Sequence, residues 1–408
     1  MKPFLKLQSV DEILRIIFGL PVLPAEITPL EAACGRRAAK AFYAPHDLPG
    51  FRRSTMDGYA VIARDVFGAS ESNPALLQVT ASCQMGKLPE FTLTHGQAAQ
   101  IFTGAPMPAG ADAVVMVEHT REAGRGQIEV GRSIAPGDHV IEADEDAAKG
   151  QEIIPAGKLL RPQEIGILAA FGAHEVETPR RPRVAIISTG DEIVPLDAPL
   201  SPGQIRDVNS WSLEAVCKGA GAITRRLGIA RDEPAALREM LQEAAAEADI
   251  ALVSGGSSAG MRDHAVEAFL SLPNSRILVH GAAISPGKPF ILGLSGNVCL
   301  LGMPGHVTSA LICARVFLEP LLHHLQGLVE PVPKPWFDAT LSRSVASAHG
   351  RRDYIRCRLL VDGGEYVAMP LLAPSSVLGG LLEADGIVIC PENSEGLSKG
   401  QKVKVYPI

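Results

Sequence analysis

The sequence has few aromatic side chains (5%, including two tryptophans) and no long apolar run, which excludes a membrane-spanning helix. It lacks a C-x-x-C pair. Its seven cysteines (34, 83, 217, 299, 313, 357 and 390) are scattered and odd in number, without the spacing of a disulfide framework. They read as buried free thiols of a reducing compartment. The opening MKPFLKLQSVDEIL has no signal-peptide core, so a cytoplasmic protein is expected. An excess of positive charge is missing too. The formal net charge is −7, which argues against a nucleic-acid partner and leaves room for a local basic pocket. Neither a P-loop nor a G-x-G-x-x-G fingerprint occurs, and there is no internal repeat or low-complexity tract.

What is present is a soluble, globular composition, 46% hydrophobic and 20% charged, over 408 residues, enough for about two to four domains. Forty glycines and 31 prolines cluster beside apolar runs, as in proteins whose loops carry function.

The clearest segment is 180–326. RVAIIS (183–188) and DIALVSGG (249–256) are continuous apolar runs, the pattern of parallel strands buried on both faces. Between them Leu237, Met240, Leu241 and Ala244 recur at helical spacing, with Asp232 as a candidate cap and Pro234 in the first turn. A second helix is expected from Asn209. Strand–helix alternation then runs through RILVHG and VCLLGMPG to a long helix near 306–326, a doubly wound α/β domain. PRRPR (179–183) reads as a solvated hinge. Residues 44–146 hold short strand candidates and no long helical pattern, so that part is mainly β. RPQEIGILAAFG (161–172) is a helix ended by Gly172, and 330–408 returns to strands as a small C-terminal β domain.

Ligands of open α/β sheets bind beyond the carboxyl ends of the strands. Three such ends carry unusual loops. STGDEIV presents Asp191 and Glu192, which serve equally as a helix-capping pair or as functional carboxylates. SGGSSAGMRDH offers Gly255, Gly256, Ser257 and Ser258, whose closely spaced amides suit an anion, and Asp263, which a helix cap explains equally well. SPGKP and GMPGH hold Lys288 in a stiff turn beside Pro289, and Pro304-Gly305 at the start of a helix. Carboxylates beside phosphate-binding loops point to Mg²⁺ or to general acid–base work. Upstream, STMDGYAV (54–61) sets Asp57 at the start of a strand, where an Asp-Gly turn is the local reading.

STMDGYA, IFTGAPMPAGADAVV, EDAAKGQEIIPAG, ISTGDEI, GQIRDVNS, SGGSSAG, SPGKPF and GMPG occur here in the order seen in the molybdopterin molybdotransferase (MoeA) family, which includes the gephyrin E domain. The chain resembles that family over nearly its whole length. The resemblance implies a homodimer that hydrolyses adenylylated molybdopterin, inserts molybdate and releases AMP, with Mg²⁺ or a similar cation. It also implies molybdopterin adenylyltransferase as a partner and, downstream, molybdoenzyme maturation proteins. The fold it implies has four parts: an α/β molybdopterin-binding-like domain (1–24 and 181–326), a linking domain (25–43 and 147–180), a mainly-β domain (44–146) and a barrel-like C-terminal β domain (327–408). Its cleft lies between the α/β domain and the mainly-β domain of the other subunit.

Carried over by motif, Asp57 and Thr103 face that cleft, with Asp146, Glu192, Asp232 and Asp263 as the other acidic positions. Asp57, Glu192 and Asp263 are the implied metal ligands. Lys288, Pro289, Arg351, Ser375 and Ser376 line the oxyanion site, where guanidinium and ammonium groups suit molybdate. The chain departs from the family's usual residues at Met261, Ser285, His306 and Gly380. A second reading follows from those departures: a diverged, non-catalytic molybdopterin carrier or maturation scaffold. A third is a clustering protein.

Overall fold

The computed structural model describes residues 7–255, 259–328, 337–372 and 374–408, without the side chains of Pro234 and 259–263. Among the described residues no helix is long and apolar enough to cross a membrane.

The α/β part is built on a six-stranded sheet ordered 223–230, 183–189, 250–255, 298–303, 291–295, 275–280. Its first four strands are parallel. Along Arg183–Thr189, Val184 and Ile186 enter one core while Ala185 and Ile187 enter another, so helices cover both faces. Strand 291–295 runs against the other five, antiparallel to both 298–303 and 275–280, where sequence alternation predicts continued parallel order. The connection 281–290 contains no helix and cannot make a parallel crossover.

The helix Val10–Phe18 is capped reciprocally by Ser9 and Glu12, and its Val10, Ile13 and Ile17 are buried in the α/β core. Each such side chain contributes about 1.5–3 kcal/mol relative to exposure. The long C-terminal helix of this domain runs as Val307–Cys313 and Glu319–Leu325, joined by a π-helical stretch, Ala314–Leu318.

Two helix starts differ from the sequence reading. Asn209 lies inside its helix, whose first turn is capped from further back: Asp207 Oδ1 accepts the Ser210 amide at 3.1 Å. Asp232 does not cap the helix Pro234–Glu247, which begins after Glu233 with proline in its first turn. The basic run 179–183 is not a free hinge either. Arg180 Nη1 and Nη2 clasp Asp249 at 2.6 and 2.5 Å, and the Arg183 amide donates to the same carboxylate.

A small linking core gathers Ala33, Ala38, Ile154, Leu160 and Leu168, drawn from both ends of the long insertion between them. Strand Ala25–Pro29 pairs with Glu175–Pro179. Beyond it lies a second six-stranded sheet, which includes Gly58–Val61, Gln97–Ile101 and Ala113–Met116. Ala60 and Val61 enter cores on its opposite faces. The C-terminal part is a closed five-strand barrel around Ala339, Cys357, Val388 and Val405. The short strand Ile284–Ser285 from the α/β part pairs with Arg352 and Asp353 of the barrel.

Candidate functional site

The parallel strands end at one level. Thr189 pairs with both Gly255 and Ala230, and Ser254 with Met303. The chain leaves 183–189 toward one edge of the sheet and 250–255 toward the other, so the two loops diverge at a topological switch point. Gly255 is required there, since a Cβ would stand 2.2 Å from the Thr189 carbonyl oxygen.

Three cavities line this crest. The first brings Asp232, Gly255, His264 and Pro289 together around Thr189. Asp191 and Asp232 are tied by reciprocal bonds: the Asp232 amide donates to Asp191 Oδ1 at 3.1 Å and the Asp191 amide to Asp232 Oδ2 at 3.4 Å. Burial foremost, with the neighbouring Asp191 and Glu192 carboxylates, raises the Asp232 pKa despite the Asp191 amide. Glu192 is exposed in the loop behind Thr189, and no helix follows it to be capped.

The second cavity, about 420 Å³, lies between the crest and the barrel and includes Asp207, Asn209, Ser254, Gly305, His306 and Ser376. Asp207 is buried and accepts the Ser188 hydroxyl at 2.7 Å. Asn209 Nδ2 donates to the Gly305 carbonyl at 2.8 Å. Asn209 Oδ1 and Ser254 Oγ are buried with no hydrogen-bond partner among the described residues. Such groups each cost about 1–3 kcal/mol unless satisfied, so a polar ligand gains by meeting them. Asp207, Asn209 and Ser254 were not singled out as site residues from sequence. A strand-end serine and a D-x-N pair are too common to stand out.

Across this cavity His306 Nδ1 and Ser375 Oγ are 3.1 Å apart, and the Thr308 amide donates to the Ser375 carbonyl at 3.3 Å, joining barrel to crest. Lys288 is exposed in its turn, anchored by its carbonyl to the Ala282 amide. Arg351 lies against Asp353, Nε to Oδ1 at 2.8 Å, so its charge is already partnered.

Asp57 and Thr103 lie in turns beside strands 58–61 and 97–101 of the mainly-β sheet, and neither lines these cavities. The Thr103 amide and hydroxyl both donate to Asp57 Oδ1 at 2.8 Å. The amide first, then the hydroxyl, holds the exposed carboxyl below its ordinary pKa. Gly58 begins a strand immediately after it, and the bend lies at 55–57. Asp146 is exposed and donates its amide to the Leu48 carbonyl. Gly256, Ser257 and Ser258 lie outside the described residues, as does the side chain of Asp263. Among the described residues no three His, Cys, Asp or Glu side chains converge as a metal site.

Fold and site define a class: a multidomain α/β-plus-β protein whose carboxylate-bearing strand-end crest adjoins a C-terminal barrel. Three family matches cover the chain. They are the MoeA N-terminal region (domain I and II) at residues 8–172, the Probable molybdopterin binding domain at 185–324, and the MoeA C-terminal region (domain IV) at 338–408. A Nostoc sp. protein named molybdopterin molybdenumtransferase is 37% identical over all of this chain and 95% of its own length. A Mycobacterium tuberculosis protein named molybdopterin molybdenumtransferase 2 is 34% identical over 98% of this chain and 100% of its own. The crystal structure of a molybdopterin biosynthesis MoeA protein from Pyrococcus horikoshii superposes with a TM-score of 0.82 at 35% identity, covering 98% of this chain and 99% of that one. The chain belongs to the MoeA family.

Proposed function

We propose that this protein is a molybdopterin molybdenumtransferase: it accepts adenylylated molybdopterin and molybdate, cleaves the pyrophosphate, inserts the metal and releases AMP. The observation that carries this is the crest, where Asp191 and Asp232 sit beside Gly255 at the switch point, next to a barrel-side cavity with two unsatisfied polar atoms.

Mg²⁺ fits this donor set. It is held by one or two carboxylates plus substrate phosphates rather than by a protein cage, so a convergent triad is not needed. Asp191 and Asp232, tied through each other's amides, are the carboxylates that would hold it, with Glu192 nearby in the same loop. When bound, the ion supplies charge to the pyrophosphate oxygens. The chain's own residues do the rest: Gly255 lets the backbone approach the phosphates, and Lys288 offers a positive charge to the oxyanion.

Homodimerisation completes the cleft. Asp57, ionised and rigidly held, is flanked by exposed Met56, and its partner Thr103 by exposed Phe102; the Asp57 carbonyl accepts the amide of exposed Val117, which gives an apolar rim suited to docking on a partner subunit. Leu196, Leu200, Ile205 and Val208 are exposed beside the crest and form its counterpart. Molybdopterin adenylyltransferase supplies the substrate, and molybdoenzyme maturation proteins receive the product. All seven cysteines are free, as suits the cytoplasm.

A second reading, a non-catalytic carrier, draws on one observation: Ser285 pairs in register with Asp353, which already holds Arg351. Ser285→Lys discriminates, since a large gain in metal insertion would mark the natural protein as a carrier. The primary test is purified protein with adenylylated molybdopterin, molybdate and Mg²⁺. AMP release with metallated cofactor is expected; tight substrate binding without AMP release would overturn the insertase reading.

A further inference from the structure

The third cavity, about 840 Å³, lies where the crest meets the edge strand 223–230. Arg231 also lines the Asp232 cavity, and Asp207 and Gln204 the barrel-side cavity, so the three adjoin one another. One wall is Trp211 with the Arg226 guanidinium 3.4 Å from its ring centroid. This pair is held from behind. Arg226 Nε meets Glu214 at 3.1 Å, and Glu214 is itself fixed by Lys218 and the Thr224 hydroxyl, each at 3.1 Å.

Core packing does not account for Trp211. Its helix Asn209–Gly219 buries Ser210, Leu213 and Cys217, while Trp211 remains 43% exposed on another side. The cavity's charges define what it can take. Asp191, Asp197 and Asp207 outnumber Arg226 and Arg231 in its lining, which disfavours an anion, whereas Leu196 and Ile229 give it apolar walls. An indole–guanidinium stack between apolar walls, with Gln204 as a polar group, suits a flat, uncharged ring with hydrogen-bonding edges.

We propose that Trp211 and Arg226 form the stacking seat for a planar nitrogen heterocycle of the substrate, adenine or pterin, whose phosphates lie on the crest beyond Arg231. This rests on the insertase reading and names a subsite within it.

The test uses the full-length protein carrying Trp336→Phe, which leaves Trp211 as the sole tryptophan. Its emission is followed during titration with AMP, with a free pterin and with inorganic phosphate, and calorimetry records binding in parallel. Quenching by AMP alone makes this the adenine seat, and quenching by the pterin alone makes it the pterin seat; phosphate should leave the emission unchanged. Trp211→Leu should weaken the quenching ligand about tenfold or more and leave phosphate binding unaltered. Far-UV circular dichroism should stay native, because Leu213 and Cys217 hold the helix. Calorimetric binding of AMP and pterin with no change in Trp211 emission would overturn the seat while sparing the insertase reading. Absence of any AMP or pterin binding, together with no AMP release by the wild type, would overturn both.

Discussion

Thr103 donates its amide and its hydroxyl to one oxygen of Asp57, each at 2.8 Å, which fixes an exposed carboxylate in one orientation and keeps it charged. Thr103→Val removes the hydroxyl bond and keeps the amide. The Asp57 pKa then rises toward the ordinary range, so the acid limb of the rate–pH profile should move to higher pH. An unchanged profile would show that Asp57 ionisation does not limit turnover.

If Asp57 serves the partner's crest, two inactive variants should repair each other. Asp57→Asn mixed with Asp232→Asn and allowed to exchange subunits should recover about a quarter of wild-type AMP release, because half of the dimers are mixed and each has one intact cleft. A mixture as inactive as its parents would place the whole site in one chain.

Gly58 admits no side chain: a Cβ would lie 1.9 Å from the Val115 carbonyl oxygen in the adjacent strand. Gly58→Ala should destabilise the mainly-β domain by about 3 kcal/mol or more and lower its thermal transition. A wild-type transition would contradict this packing.

Asp249 joins the linking segment to the sheet. Burial alone would raise its pKa, but the Arg180 guanidinium and the Arg183 amide more than offset it, and the net shift is downward. A lowered folded-state pKa stabilises the protein above the ordinary aspartate value near 4, and that stability is lost as pH falls through the folded value. Asp249→Asn should therefore cost about 2 kcal/mol or more at neutral pH, leaving Arg180 half-buried without its charge partner. In urea unfolding, the difference from wild type should vanish at acid pH.

Much of this was legible in the sequence, and the reasons for the rest are physical. Runs such as RVAIIS and DIALVSGG carry their own burial pattern, so the α/β core could be read directly. The reversal of 291–295 could not, because strand direction depends on what the preceding connection contains. Helix caps shifted by a few residues because Asn209 and Asp232 are each plausible caps in isolation, and Asp207 is no less so. Only the fold shows that Asp207 reaches forward to Ser210 and Asp232 pairs with Asp191. Asn209 and Ser254 became site residues only when strand and helix ends met in space. Arg351 shows the opposite case: the family resemblance implies a cation for the oxyanion, and Asp353 two residues further on already partners it.

The most direct test of the central claim compares AMP release from adenylylated molybdopterin by wild type and Asp57→Asn under molybdate and Mg²⁺. The account predicts substrate binding within a few-fold of wild type and turnover reduced about 100-fold or more. Equal turnover by the two proteins would contradict it.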